Sequence, residues 1–208
     1  AGILELASEN DLMFRTNIVD NITDGLGNRY TLTYKTINDN RVFSAQSPKP
    51  AYPLLLVRGP WLVVDNLKVE NDGNTTSNTT YSYFDGYIHQ GGLGFLGFKT
   101  FSTSNSVNSS SSNSTFEYTI PGEANIYSPW LKMQTVSIGG ITSTLTNNTM
   151  EVRRKPGQPE KSFLALVTSS TSTDGRTNIS TTNTITGFNV TLGRVTATST
   201  TTGGETIS

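Results

Sequence analysis

The run from Tyr81 to Phe101 reads YSYFDGYIHQGGLGFLGFKTF, and this pattern predicts a β-hairpin. Aromatic and polar residues alternate on either side of a glycine cluster, and a period of two places successive side chains on opposite faces of a strand. Glycines tolerate the positive φ angles that tight turns need. We therefore expect a strand before the cluster, a turn within it and a second strand after it.

A second hairpin is predicted upstream, where residues 22–35 read ITDGLGNRYTLTYK. The Asp24-Gly25 and Gly27-Asn28 pairs favour a turn, and residues 30–35 again alternate with period two. We expect residues 17–23 to pair antiparallel with residues 30–35.

The same alternation predicts further strands over residues 61–70, 75–84, 115–120, 126–138, 142–153 and 163–171, and no helical stripe is sustained. Residues 38–53 contain three prolines and are predicted to form a loop. Residues 104–114 are Ser and Asn throughout except for Val107, so a mobile loop is predicted because they have little to bury. The predicted fold is all-β, with mostly antiparallel sheets built from successive hairpins in an open array or sandwich.

The composition supports thin, broad sheets, because only 34% of the residues are hydrophobic and 15% are charged. Gly followed by Arg recurs in predicted turns at Gly175-Arg176 and Gly193-Arg194, which is typical of a degenerate repeat. Four parts are predicted: a terminal edge or linker over residues 1–16, an antiparallel β region over 17–153, an exposed connection over 154–161, and Thr-rich repeat-like strands over 162–208.

Three short motifs, in order along the chain, resemble the region before the YD repeats of Rhs-type proteins and the middle region of insecticidal toxin-complex B components. They are ITDGLGN with LTYK, then YSYFDG, then GFLGF. A fourth segment, GFNVTLGRV, resembles a YD-repeat core, with Phe188 and Asn189 where Tyr and Asp are expected. The residues that carry the resemblance are Gly25, Gly27, Tyr34, Tyr83, Gly94, Phe95, Gly97, Phe98, Gly193 and Arg194.

The resemblance implies a structural role. In that family the corresponding region begins a large β-shell that encloses a C-terminal effector, and the catalytic positions lie far downstream. The expected partners are therefore the remainder of the same polypeptide and the enclosed effector, in a secreted or cell-surface bacterial protein. A shell cut from its neighbours exposes strand edges, so an edge-mediated homodimer is also expected.

The sequence assigns no catalytic, cofactor or metal residue. Residues 92–97 match G-x-G-x-x-G, but the following FKTF is β-prone, whereas the dinucleotide motif needs a helix there. His89 is the only histidine and is expected at the surface or in a turn, which leaves no basis for a zinc site or a catalytic triad. Asp65, Asp72 and Asp85 are expected to cap backbone amides at turns or strand ends.

The formal net charge of −1 provides no field to attract nucleic acid, and no apolar run approaches the roughly 18 residues of a membrane-spanning helix. Neither nucleic acid nor membrane insertion is therefore expected. The alternative function is a cell-surface adhesin or carbohydrate-binding β module. Its sugar platforms would be aromatic residues that more often pack across a sheet, namely Trp61, Tyr81, Tyr83, Tyr87 and Trp130.

Overall fold

The computed structural model describes residues 18–45, 48–154, 157, 163–203 and 205–207. The predicted terminal edge over residues 1–16 and most of the predicted connection over 154–161 lie outside the described residues. The strands are β1 (Asn21–Thr23), β2 (Asn28–Thr36), β3 (Phe43–Ser44), β4 (Leu54–Leu56), β5 (Leu62–Asn71), β6 (Asn74–His89), β7 (Gly94–Asn105), β8 (Ser110–Ile120), β9 (Glu123–Ile138), β10 (Ile141–Arg154), β11 (Phe163–Asp174), β12 (Ser180–Asn189), β13 (Arg194–Thr202) and β14 (Glu205–Ile207).

These strands form one 14-stranded sheet, with the path β1-β2-β5-β6-β7-β8-β9-β10-β11-β12-β13-β14. Neighbours along this path pair antiparallel. Off the path, β3 pairs parallel with β6 and β4 pairs antiparallel with β6. The described residues contain no helix, and the predicted all-β, mostly antiparallel fold is confirmed.

Both predicted hairpins are present. In the first, the ladder is shorter than predicted: it joins residues 21–23 to residues 29–31, with Ile22 opposite Tyr30. In the second, His89 pairs with Gly94 across a turn at residues 90–93. Local alternation and turn chemistry were therefore sufficient to locate both.

The prediction of a mobile loop over residues 104–114 is wrong. β7 continues to Asn105, a turn covers residues 106–109, and β8 begins at Ser110. Polar side chains hold this hairpin together: the Thr103 and Ser112 hydroxyls lie 2.9 Å apart, and the Asn105 side-chain oxygen accepts a hydrogen bond from the Val107 amide at 2.9 Å. Backbone hydrogen bonds to the strands on both sides hold this segment in the sheet, although it has few apolar side chains to bury.

The predicted loop over residues 38–53 also differs in part, because Phe43 and Ser44 form β3 beside β6. The Asp39 carbonyl accepts hydrogen bonds from the Val42 and Phe43 amides, and its carboxylate binds the Arg41 guanidinium at 2.6 Å. This compact turn delivers the Val42 and Phe43 side chains into the core.

The expected position at a turn or strand end is confirmed for Asp72 and is wrong for Asp65 and Asp85, which lie within strands. Asp72 lies in the β5–β6 turn with a φ of 48°, as a two-residue hairpin turn requires. Asp65 lies within β5 and forms an ion pair with Lys35 at 2.7 Å. Asp85 lies inside β6, where it is 6% exposed and has a φ of 50°.

The core consists of three hydrophobic clusters on β2 to β11 and their connections. The buried members are Ile37, Val42, Phe43, Val57 and Tyr83 in the first cluster, Tyr87, Leu96 and Tyr118 in the second, and Ile120, Trp130 and Met150 in the third. Beyond them, β11 to β13 are linked by hydroxyl pairs across the strands, such as Thr171–Thr182 at 2.9 Å and Thr181–Thr202 at 3.1 Å.

Candidate functional site

The motif residues of the first hairpin surround a turn organised by Asp24. Its carboxylate accepts hydrogen bonds from the Leu26 and Asn28 amides and from the Asn28 side chain, which hold the pKa of Asp24 below its usual value, with the Asn28 side chain as the main cause. Gly27 adopts a φ of 84°, and a Cβ atom at Gly25 would meet nothing within 4 Å. The turn therefore requires the backbone freedom of glycine at Gly27, whereas position 25 has room for a side chain.

Tyr34 and Tyr83 anchor β2 and β6 through their hydroxyl groups. The Tyr34 hydroxyl donates to the Val19 carbonyl at 2.9 Å, and burial is the main cause that raises its pKa. The Tyr83 hydroxyl donates to the Val64 carbonyl at 3.0 Å, and burial raises the pKa of Tyr83 to about 12. Both hydroxyls therefore stay protonated and act as structural donors.

Aromatic rings of the second and third motifs, YSYFDG and GFLGF, pack together beside the first core cluster. Phe98 lies 4.8 Å from the Tyr83 ring and 6.0 Å from the Phe43 ring, measured between centroids. Phe95 lies 5.3 Å from Phe98 and 5.3 Å from Trp61. Such edge-on and tilted pairs are the favourable arrangements for aromatic side chains. The structure thus brings Tyr83, Phe95 and Phe98 together.

Gly86 is a packing position that the sequence analysis missed. A Cβ atom on Gly86 would lie 2.3 Å from Val57 Cγ1 and 3.1 Å from Phe98 Cδ1. The Gly86 carbonyl also accepts a hydrogen bond from the Val57 amide at 2.7 Å. Because Val57 is distant along the chain, no local pattern marks Gly86 as a contact point.

The sheet opens into a fork between β7 and β8. Their pairing ends at Thr100 and Thr115, although β7 begins at Gly94 and β8 continues to Ile120. The Tyr118 hydroxyl bridges the fork by donating to the Gly97 carbonyl at 3.1 Å, and burial raises the pKa of Tyr118 well above its usual value. A groove of about 290 Å³ lies in the fork, lined by Leu96, Gly97, Phe98, Phe101, Phe116, Pro129, Trp130 and Leu131.

Gly94 and Gly97 give β7 its departure from a regular strand. Gly94, the first residue of β7, has a φ of 70°, and Gly97 has a φ of 109°. A register shift in the β6–β7 pair follows Tyr87, which pairs with Gly97. Both glycines lie in the part of β7 that is not paired with β8, and their backbone angles are ones that L side chains disfavour.

His89 is half-buried at the end of β6 and does not lie at an open surface. Its ring centroid is 4.6 Å from that of Tyr127, and its buried Nδ1 atom has no hydrogen-bond partner among the described residues. The described part of the chain contains no group of three His, Cys, Asp or Glu residues positioned to hold a metal ion. It also contains no helix with the length and apolar character of a membrane span.

The last motif lies at the β12–β13 turn. Gly193 ends the turn with a φ of 61°, and Arg194 begins β13, where it is exposed and pairs with Asn189. The Asn189 side-chain oxygen accepts a hydrogen bond from the Leu192 amide at 2.9 Å. This site is distant along the chain from the other motif residues and forms its own turn.

The aromatic residues named for the carbohydrate-binding alternative are mostly packed inside the sheet. Tyr83, Tyr87 and Trp130 are buried, and Tyr81 stacks on Phe101 with a centroid distance of 5.8 Å. Trp61, which is 43% exposed, is the candidate platform that keeps a large open face. Packing across the sheet thus accounts for four of the five named residues.

The single open sheet and its successive antiparallel strands define an all-β protein. The family model described as the insecticide toxin TcdB middle/N-terminal region matches residues 6–125, and the chain belongs to this family. The predicted resemblance to the middle region of toxin-complex B components is confirmed. The likeness of Gly193-Arg194 to a YD repeat lies outside the matched residues and stays a prediction, as do the predicted part boundaries.

Part of several solved toxin-complex structures has a fold similar to that of this chain. The crystal structure of TcdB2-TccC3 matches with a TM-score of 0.64, a TcdB2-TccC3-TEV form with 0.61, and a form without the hypervariable C-terminal region with 0.59. Each is 12% identical, and each match covers 88% of this chain. The chain spans 12% of the length of those chains. No curated protein gave a significant match.

Proposed function

We propose that this chain is a non-catalytic structural segment of a secreted or cell-surface bacterial toxin complex. In this proposal it forms part of the wall of a β-shell that encloses or presents a C-terminal effector. The observation that carries the proposal is the single sheet of 14 strands, in which most neighbours along the path are consecutive antiparallel strands. Its partners are the remainder of the same polypeptide and the effector.

A wall of this kind needs no thick core. Where a strand pairs with two neighbours, its backbone donors and acceptors are satisfied on both sides, so the sheet can extend strand by strand. Hydroxyl pairs such as Thr171–Thr182 and Thr173–Ser180 join strands where apolar side chains are few. The likeness to the solved TcdB2-TccC3 chains over 88% of this chain supports the assignment to such a wall.

Protease protection of the effector tests containment. The test uses the full-length polypeptide that carries this chain, with Trp130→Ala as the disruptive change and Trp61→Ala as its matched control. Trp130 is buried with Ile120 and Met150, so its loss should open the wall locally, whereas Trp61 is half-exposed.

We expect the effector to resist protease in the wild type and in the Trp61→Ala control, and to be cleaved in the Trp130→Ala variant. Cleavage of the effector in the wild type, at the rate seen for the effector alone, would contradict the containment proposal.

A further inference from the structure

A cleft of about 670 Å³ lies beside β4 and is not used by the proposed shell function. Among the described residues, β4 pairs only with β6, so its opposite edge carries no strand partner. The described residues that line the cleft are Ala45, Lys49, Leu55, Leu56, Arg58 and Ile88. The cleft therefore combines an open strand edge with apolar and cationic side chains.

An apolar row crosses three strands at this place, with Ile88 half-buried between two exposed side chains. Leu55 of β4 pairs with Ile88 of β6, which pairs with Phe95 of β7, so the three side chains share one face. Leu55 is 37% exposed and Phe95 is 41% exposed, and the Trp61 ring packs on Phe95 at 5.3 Å. Leu55 and Phe95 therefore leave apolar surface open to solvent next to the cleft.

Two cations without carboxylate partners lie at the same cleft. Lys49 and Arg58 are exposed, and within the described ranges neither forms an ion pair. By contrast, Lys35, Lys68 and Lys132 each have a carboxylate oxygen within 2.9 Å. In a chain with a net charge of −1, the cleft is therefore locally positive.

We propose that this cleft binds an extended segment of a separate polypeptide that carries carboxylates beside apolar side chains. The carboxylates complement Lys49 and Arg58, and the apolar side chains cover Leu55 and Ile88. The open edge of β4 offers the backbone partner that an added strand needs, which favours a peptide over a compact ligand. This inference does not depend on the proposed shell function.

Fluorescence anisotropy with labelled short peptides tests the proposal on the 208-residue protein. A peptide that alternates Glu with Val is expected to bind, and one that alternates Lys with Val is expected not to bind. The Lys49→Glu/Arg58→Glu variant should bind the acidic peptide at least about tenfold more weakly. The matched control, Arg176→Glu/Arg194→Glu, makes the same charge change at exposed residues elsewhere and should bind as the wild type does.

A second variant separates the apolar contribution from charge. Leu55→Ser should weaken binding of the acidic peptide, whereas Leu93→Ser, at an exposed leucine in the β6–β7 turn, should leave it unchanged. Because both leucines are exposed, neither change is expected to unfold the sheet.

Several results would overturn the inference. The acidic peptide could fail to bind the wild type, or the basic peptide could bind as tightly as the acidic one. A control variant could also weaken binding of the acidic peptide as much as the corresponding cleft variant does. Binding to phosphatidylglycerol vesicles without peptide binding would replace it with a lipid site. Self-association that Leu55→Ser abolishes, without peptide binding, would replace it with a second copy of this chain. None of these results bears on effector protection, so the shell proposal is judged separately.

Discussion

Replacement of Gly86 by alanine is expected to lower the free energy of unfolding by about 1–3 kcal/mol. The added Cβ would lie 2.3 Å from Val57 Cγ1, whereas non-bonded carbons prefer roughly 3.5–4.0 Å. Val57 cannot retreat easily, because it is 2% exposed and its amide is bonded to the Gly86 carbonyl at 2.7 Å. The clash therefore falls on a tightly packed side chain.

A double-mutant cycle tests whether Val57 is the source of the cost. Val57→Ala removes two buried methyl groups and is expected to cost about 2 kcal/mol. In the double variant the new methyl group at position 86 occupies the space that Val57 has vacated. The double variant should therefore be no less stable than Val57→Ala alone, with a coupling energy of about 1–3 kcal/mol.

Urea denaturation followed by tryptophan fluorescence measures these stabilities, and Gly25→Ala is the matched control. A Cβ at Gly25 meets no atom within 4 Å, so that change should stay within about 0.5 kcal/mol of the wild type. Wild-type stability in Gly86→Ala, or full additivity with Val57→Ala, would refute the packing argument.

Three further predictions concern the fork, the Asp39 turn and the sheet edges. Tyr118→Phe should lower the free energy of unfolding by about 1 kcal/mol, because the Gly97 carbonyl loses its donor; an unchanged urea midpoint would refute the bridge. Hydrogen bonds from Arg41 lower the pKa of Asp39 from 3.8 to about 2. The charged Asp39 carboxylate therefore stabilises the folded state above pH 3.8, and this stabilisation is lost as the pH falls through 2. The Tm of the wild type should fall between pH 5 and pH 2, roughly the window of that titration, and the Tm of Asp39→Asn should fall less. An equal fall in Tm for the variant and the wild type would argue that Asp39 does not contribute to stability in this way. The edges at β1 and β14 should cause self-association that increases with concentration in size-exclusion chromatography with light scattering, whereas a strict monomer would count against it.

The hairpins were predictable because their determinants are local. Alternation around Tyr30 and Tyr83, with glycines between the runs, specifies strands and turns within about twenty residues of chain. The Ser- and Asn-rich segment was misjudged because its apolar content was weighed alone. Inside a sheet, backbone partners from β7 and β9 hold β8 even where Ser111 and Ser112 bury little.

The candidate sites were predictable only in part. The motif residues Tyr83 and Phe98 could be singled out from sequence, and the structure places their rings 4.8 Å apart. Neither the open edge of β4 nor the contact of Gly86 with Val57 could be predicted from the local sequence. Each depends on residues that are distant along the chain.

The order of residues alone thus determined that this chain is a sheet of hairpins, since side-chain alternation and turn propensity act over a few neighbouring positions. Tertiary packing decided where β7 separates from β8, which loop supplies Phe43 to the core, and which cations remain without carboxylates. Those features arise from steric fit and charge balance between segments that meet only after folding.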